Sequence, residues 1–150
     1  MMNGACKLET INDLDKIEQV LLLFNHAFPR PLSERIGNLR DYAKKLAKNA
    51  VVNIISLEDK IAGFSAYYCN DMLTKQAFLT QIAVADSCKG MRIGNILLDF
   101  CIETSREKGM EKLICEVDND NDVALRFYKK NGFVYLKKAG DWSQFLLKHI

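Results

Sequence analysis

The apolar positions of this chain change period several times, and each change predicts an element. Cys6–Ile11 reads as a first strand. Leu14, Ile17, Leu21, Phe24 and Phe28 then recur at the spacing of one helix face. They predict a helix from a capping Asn12 or Asp13 to the break at Pro29-Arg30-Pro31, because proline disfavours helix at the residue before it. Ser33 and Asn38 are candidate caps, and Leu39, Tyr42, Ala43, Leu46 and Ala47 mark a second amphipathic helix ending near Asn49. Val51–Leu57 and Ile61–Cys69 read as strands around a Glu58-Asp59-Lys60 hairpin turn, and Ala77–Val84 as another strand. The helical period returns with Ile93, Ile96, Leu97, Phe100 and Cys101, and Gly109 stands where a left-handed residue ends a helix. Lys112–Val117 is strand-like, Asp118–Asp122 is a polar acidic loop, and Ala124, Phe127 and Tyr128 share one face of a short helix closed by Asn131-Gly132. Phe133–Lys137 and Ser143–His149 are two final strands around an Ala139-Gly140-Asp141 turn.

Strands and helices interleaved in this order predict an α/β chain of the mixed, α+β kind, with helices on both faces of one sheet. The hairpins imply antiparallel pairs. The strand–helix–strand stretch over residues 79–117 implies one parallel crossover pair. At 150 residues, without low-complexity segments or internal repeats, a single domain over 1–150 is expected.

Composition narrows the function. A net charge of +2 is too small for nucleic-acid binding to be the main task. No apolar run approaches the ~20 residues that span a bilayer, and the N-terminal MMNGACKLET has no apolar signal segment, so a cytoplasmic chain is expected. The five cysteines, at 6, 69, 88, 101 and 115, show no C-x-x-C spacing. That argues against a metal site or a disulfide framework and for buried reduced thiols.

The candidate chemistry starts between the Leu79–Val84 run and the long helix. Lys89-Gly90-Met91-Arg92-Ile93-Gly94 combines glycines, which let backbone approach a ligand, with two cations and the N–H groups of a helix start. This is an anion site suited to phosphate, although two glycines also serve turn geometry alone. Neither G-x-G-x-x-G nor G-x-x-x-x-G-K-[ST] is present. Downstream stands a second constellation, Asn121-x-x-Ala124-x-x-Phe127-Tyr128 followed by Asn131-Gly132-Phe133.

The two motifs at this separation, with the element order, make the chain resemble the GCN5-related N-acetyltransferase superfamily from about Cys6 to the end. The resemblance implies that family's acyl-CoA N-acyltransferase fold, a central, mostly antiparallel sheet of about six to seven strands flanked by about four helices. It also implies acetyl-coenzyme A as acyl donor, with no metal. In that family an Arg/Gln-x-x-Gly-x-Gly/Ala loop binds the pyrophosphate through backbone N–H groups. Here Lys89, Gly90, Met91, Arg92, Ile93 and Gly94, with Asn95 after them, occupy it. Lys89 stands for Arg or Gln. Arg92 stands for the first glycine, so its side chain must point away from the pyrophosphate or turn back to pair with it. Ile82, Ala83 and Val84 match the family's bulged strand, which splays from its neighbour so that pantetheine pairs there like an extra strand. A backbone N–H of that strand would hold the thioester carbonyl and its oxyanion.

The resemblance implies direct transfer of acetyl to an amine. Tyr128 matches the tyrosine that protonates the leaving thiolate; a phenol of pKa ~10 can serve a thiol of pKa ~8.5. Its plainer reading is an aromatic packing with Ala124. Glu116 matches the glutamate of a Leu-Glu-Val strand assigned as base in the family's ribosomal-protein N-terminal acetyltransferases, or is a solubilising residue on a sheet face. Asn121 matches a cofactor-contacting asparagine, caps the next helix, or does both. Ala124, Phe127 and Tyr128 fall on the same cofactor side. Lys89 and Arg92 are otherwise solvated loop cations. Cys88 lacks a base partner, since neither His26 nor His149 is placed by sequence to serve, so no acyl-cysteine step is expected.

The acceptor side of the family is built from the first two helices and the last hairpin. Those segments here are Phe28–Arg35 and Lys137–Trp142. Arg30 and Arg35 suit a phosphate or carboxylate on the acceptor, or are cations of a solvated interhelical loop. The expected acceptor is a small-molecule primary amine. A protein or peptide N-terminus, or a non-catalytic acyl-CoA-binding module, are the alternatives. A homodimer is compatible with the chain; nucleic acid and membrane are not expected partners.

Overall fold

The computed structural model describes residues 6–150; residues 1–5, the first half of the N-terminal MMNGACKLET in which no signal segment is expected, lie outside the described residues. In chain order the elements are β1 (Cys6–Ile11), α1 (Leu14–Leu23), α2 (Leu32–Ile36), α3 (Leu39–Asn49), β2 (Val51–Leu57), β3 (Lys60–Tyr68), β4 (Gln76–Val84), α4 (Ile93–Glu107), β5 (Lys112–Asp118), α5 (Asp122–Lys130), β6 (Val134–Lys138) and β7 (Ser143–His149), with a 3₁₀ turn at Asp86–Cys88. The strands follow the order β1-β2-β3-β4-β5-β7-β6, a mixed and mostly antiparallel sheet. The backbone gathers into two compact units. One holds the chain up to Tyr67 together with Gln81–Cys101; the other holds Tyr68–Thr80 and Ile102–Ile150.

In the first unit, Asp13 caps α1 by accepting the Lys16 N–H at 2.9 Å. The helix ends at Leu23, short of the predicted run to Phe28. The reason is Asn25. Its Oδ1 accepts the Ser33 N–H at 2.8 Å, its Nδ2 donates to Ser33 Oγ at 3.2 Å, and its carbonyl accepts the Leu32 N–H at 3.0 Å. These bonds compete with the helical ladder and turn the chain into α2, an element too short to show a period. Ser33, read as a cap, lies inside α2, whereas Asn38 caps α3 by accepting the Asp41 N–H at 3.0 Å. Arg40 of α3 binds α1 through Asp15 (3.2 Å) and Glu18 (2.7 Å).

The β2–β3 hairpin closes at Leu57↔Lys60, and its two loop residues, Glu58 (φ 50°) and Asp59 (φ 67°), are both left-handed, the requirement of a type I′ turn. Ile55, Ala62, Ile93 and Leu97 form a buried cluster, with Leu8, Ile82, Val84, Cys88 and Ile96 packed against it. On α4 the buried residues are Ile93, Leu97, Leu98, Cys101, Ile102 and Ser105, while Ile96 and Phe100 are half-buried, so the buried stripe is rotated slightly from the predicted one.

In the second unit, β4 and β5 pair in parallel from Gln76↔Lys112 to Leu79↔Cys115, where the described ladder ends although both strands run on. β5 pairs along its whole length with antiparallel β7, and β6 pairs with β7. Phe78 and Phe145 meet edge to face at 6.3 Å. The C-terminus of α4 closes with Gly109 at φ 89° and the Met110 N–H donating to the Ser105 carbonyl at 2.9 Å, a Schellman-type end.

Candidate active site

The loop before α4 belongs to the first unit. Gly90 (φ 86°) and Arg92 (φ 62°) are both left-handed. Glycine takes that conformation at no steric cost, but an L side chain pays about 1–2 kcal/mol. The arginine that departs from the family glycine therefore occupies a position built for glycine. Met91 and Arg92 are exposed, and Ile93 anchors the loop in the core at 1% exposure. The Arg92 carbonyl accepts the Ile96 N–H at 3.1 Å and so opens the helical ladder. The N–H groups of Ile93 and Gly94 fall in the first turn, where an α-helix offers donors without intrahelical acceptors. Lys89 pairs with exposed Asp86 at 3.2 Å.

On β4, burial alternates strictly from Ala77 to Val84, with Ala83 inward and Ile82 and Val84 half-buried. Gln81 is inward too, at 5% exposure. Its Nε2 donates to the Tyr42 hydroxyl at 3.1 Å and its Oε1 accepts from Arg35 Nη2 at 3.2 Å. Arg35 also lies 5.1 Å over the Phe28 ring. Arg35 is thus held by Gln81 and by the Phe28 ring, not merely solvated. The Tyr42–Gln81–Arg35 chain of bonds escaped the sequence reading, although a glutamine at the inward phase of an alternating strand was a legible signal. Cys88 packs against the core cluster, and His26 and His149 are exposed.

The other candidate residues belong to the second unit. Asn121 caps α5 by accepting the Ala124 N–H at 3.2 Å, which settles its capping role. About two turns on from that cap, Tyr128 is 6% exposed and sits in an aromatic corner, 5.3 Å from Phe127 and 5.1 Å from Phe133. Ala124 and Phe127 flank it, half-buried. Tyr128 shares a hydrogen bond with the Cys115 thiol. Burial pushes that thiol up from 9.0 to about 12, against the lowering effect of the bond. The folded state thus holds the Cys115 proton more tightly than the unfolded chain. Its contribution to stability is complete below pH 9 and is lost as pH rises from there toward 12, at about 1.4 kcal/mol per pH unit. Urea titrations of Cys115→Ala across that window are expected to show a shallower loss of stability than the parent.

Glu116 is exposed between buried Cys115 and Val117, and its Oε2 accepts from Ser143 Oγ at 2.6 Å. On the hairpin beyond, Lys137 lies 5.9 Å over the Phe145 ring, Lys138 pairs with Asp141 at 3.7 Å, and Trp142 is 82% exposed. All five cysteines are thiols. Among the described residues no group of three His, Cys, Asp or Glu side chains could hold a metal, and no helix is long and apolar enough to cross a membrane.

The sequence model described as the "Acetyltransferase (GNAT) family" matches residues 14–133. Among relatives, the "Probable N-acetyltransferase camello" of Xenopus laevis is 25% identical over 88 residues, 59% of this chain and 40% of that protein. The chain thus spans well under two thirds of the curated relative it matches. Among solved structures, Ard1 from Thermoplasma volcanium superposes with a TM-score of 0.78 at 20% identity, covering 97% of this chain and 98% of the other. The PaiA N-acetyltransferase from Thermoplasma acidophilum, in complex with coenzyme A, gives 0.76 at 17% identity, covering 97% and 99%.

Proposed function

The chain belongs to the acetyltransferase (GNAT) family, and from that membership we propose that it is an acetyl-CoA-dependent N-acetyltransferase, one domain over 1–150, acting on the primary amine of a small molecule. The donor is acetyl-CoA; a neighbour of the same fold is a coenzyme A complex. Its pyrophosphate falls to Lys89, Gly90, Met91, Arg92, Ile93, Gly94 and Asn95, its pantetheine to Ile82, Ala83 and Val84, and further contacts to Asn121, Ala124, Phe127 and Tyr128. The amine nitrogen attacks the thioester carbon, the C–S bond breaks, and the thiolate takes a proton from the Tyr128 hydroxyl. Glu116 accepts the proton that the amine gives up, directly or through water. A cytoplasmic location belongs to the proposal and suits the thiols.

The observation that carries this reading is Tyr128: a buried phenol with Phe127, Phe133 and the Cys115 thiol as neighbours, on the helix that Asn121 caps. A residue needed only for packing would be served by phenylalanine. The deciding experiment is a screen of amines with acetyl-CoA, following free thiol, alongside calorimetry with coenzyme A. Thiol release with a small amine supports the proposal. No heat at millimolar coenzyme A, with no amine-dependent thiol, overturns it. One observation favours a second reading, an N-terminal acetyltransferase: Glu116, the residue matched to the base of those enzymes, is held by Ser143. Peptides beginning with Ser or Ala in the same screen separate the two.

Arg92→Gly is expected to leave thermal stability unchanged or raise it by up to about 1 kcal/mol, as left-handed strain is relieved and chain entropy rises. It should also weaken coenzyme A binding about three- to tenfold in calorimetry, because one cation beside the pyrophosphate is lost.

A further inference from the structure

On β5, Glu116 faces Phe145 of β7 across the ladder. Ser143 precedes Phe145 by two residues and is therefore the diagonal neighbour of Glu116 on the same face. Ser143 is 6% exposed and fully engaged. Its hydroxyl proton goes to Glu116 Oε2 at 2.6 Å, its Oγ accepts the Gly140 N–H at 3.2 Å, and its carbonyl accepts the Ala139 N–H at 3.0 Å. The Trp142 carbonyl accepts the Asn119 N–H at 2.8 Å just beyond β5. One small side chain thus ties an exposed carboxylate to the turn that carries exposed Trp142.

A hydroxyl has a single proton. Committed to Glu116 in a short, charge-assisted bond, it selects one orientation from the rotamers an exposed glutamate would otherwise sample. A base acts only when its oxygen lies within hydrogen-bond reach of the proton it removes, and small misplacements are costly. Resting on the reading of Glu116 as the base, we propose that Ser143 is a positioning residue. Its hydroxyl holds the Glu116 carboxylate in one orientation and fastens the Ala139–Trp142 turn to it, so that base and turn meet the amine as one piece.

The test uses the full chain as wild type, Ser143→Ala, Ser143→Thr, Glu116→Gln and the Ser143→Ala/Glu116→Gln double variant. Turnover is read as thiol release from acetyl-CoA with spermidine and with a Ser-Ala-initiated peptide as acceptor probes. The turn is read separately by time-resolved anisotropy of Trp142, the sole tryptophan. Ser143→Ala should lower kcat about tenfold with the acetyl-CoA KM within about twofold, and Ser143→Thr should restore it. In the Glu116→Gln background Ser143→Ala should add nothing, whereas a purely structural loss would add. Trp142 should gain fast local motion in Ser143→Ala and lose it again in Ser143→Thr. If Glu116→Gln is impaired while Ser143→Ala matches wild type, the Ser143 proposal alone is overturned. If Glu116→Gln keeps full turnover, the base reading falls and the proposal with it. If wild type acetylates neither probe, the anisotropy decides: unchanged motion in Ser143→Ala overturns the proposal, and increased motion supports the tether.

Discussion

Tyr128→Phe is expected to lower kcat by about 10²–10³-fold while coenzyme A binds within about twofold of wild type. General acid catalysis contributes on that scale, equivalent to ~2.7–4 kcal/mol of barrier. The substitution keeps the ring and its contacts with Phe127 and Phe133. It removes one hydroxyl, whose partner in the folded chain is the Cys115 thiol. A thiol is a weak hydrogen-bonding group that behaves as a small hydrophobe, so the stability cost should stay near or below ~1 kcal/mol. Turnover and calorimetry on the same preparation give the answer. Undiminished turnover would reduce Tyr128 to a packing residue and leave the leaving thiolate to take its proton from water.

Gly63→Ala is expected to destabilise the protein by about 2–3 kcal/mol, a loss of ~5–10 °C in Tm. Gly63 lies on β3, and a Cβ there would come within 2.8 Å of Ile93 Cγ2, 2.9 Å of the Ala83 carbonyl oxygen and 3.2 Å of Leu97 Cδ1. Ile93 and Leu97 are fully buried core residues on α4, and the Ala83 oxygen is backbone. None of the three has room to give without moving β4 or the first turn of α4. Those two segments carry Ile82–Val84 and the loop from Lys89 to Asn95. Coenzyme A affinity should therefore fall along with stability, although Gly63 itself is assigned no contact with the donor. Calorimetric melting with coenzyme A titration checks both effects. A variant that melts like the parent would show that β3 and α4 separate more easily than their packing implies.

Much of this architecture was legible because its causes are local. The two left-handed residues of the β2–β3 turn, the Asn38 and Asn121 caps, and the Gly109 stop each answer to neighbours within a few positions. Period alone located α4 and the strands around it. The loop motif and the Asn121–Tyr128 segment were legible in the same way, as residue types at fixed spacing. Where the reading failed, residues distant along the chain had intervened. Asn25 stopped α1 by bonding Ser33, eight positions on, and created α2 from a stretch with no period of its own. Gln81 could be seen as a polar residue facing inward, but its partners Tyr42 and Arg35 lie 39 and 46 positions away.

From the amino-acid order alone came the sequence of elements apart from α2, the family likeness and the candidates Tyr128 and Glu116, since helical and strand periods and cap chemistry are short-range forces that linear spacing records. Tertiary structure alone decided that Arg92 bends left-handed, that Gly63 must stay bare, that Tyr128 has Cys115 for a partner, and that Ser143 reaches Glu116 across 27 positions. Those outcomes depend on strand register and side-chain volume. Both are properties of the folded arrangement, and no local pattern encodes them.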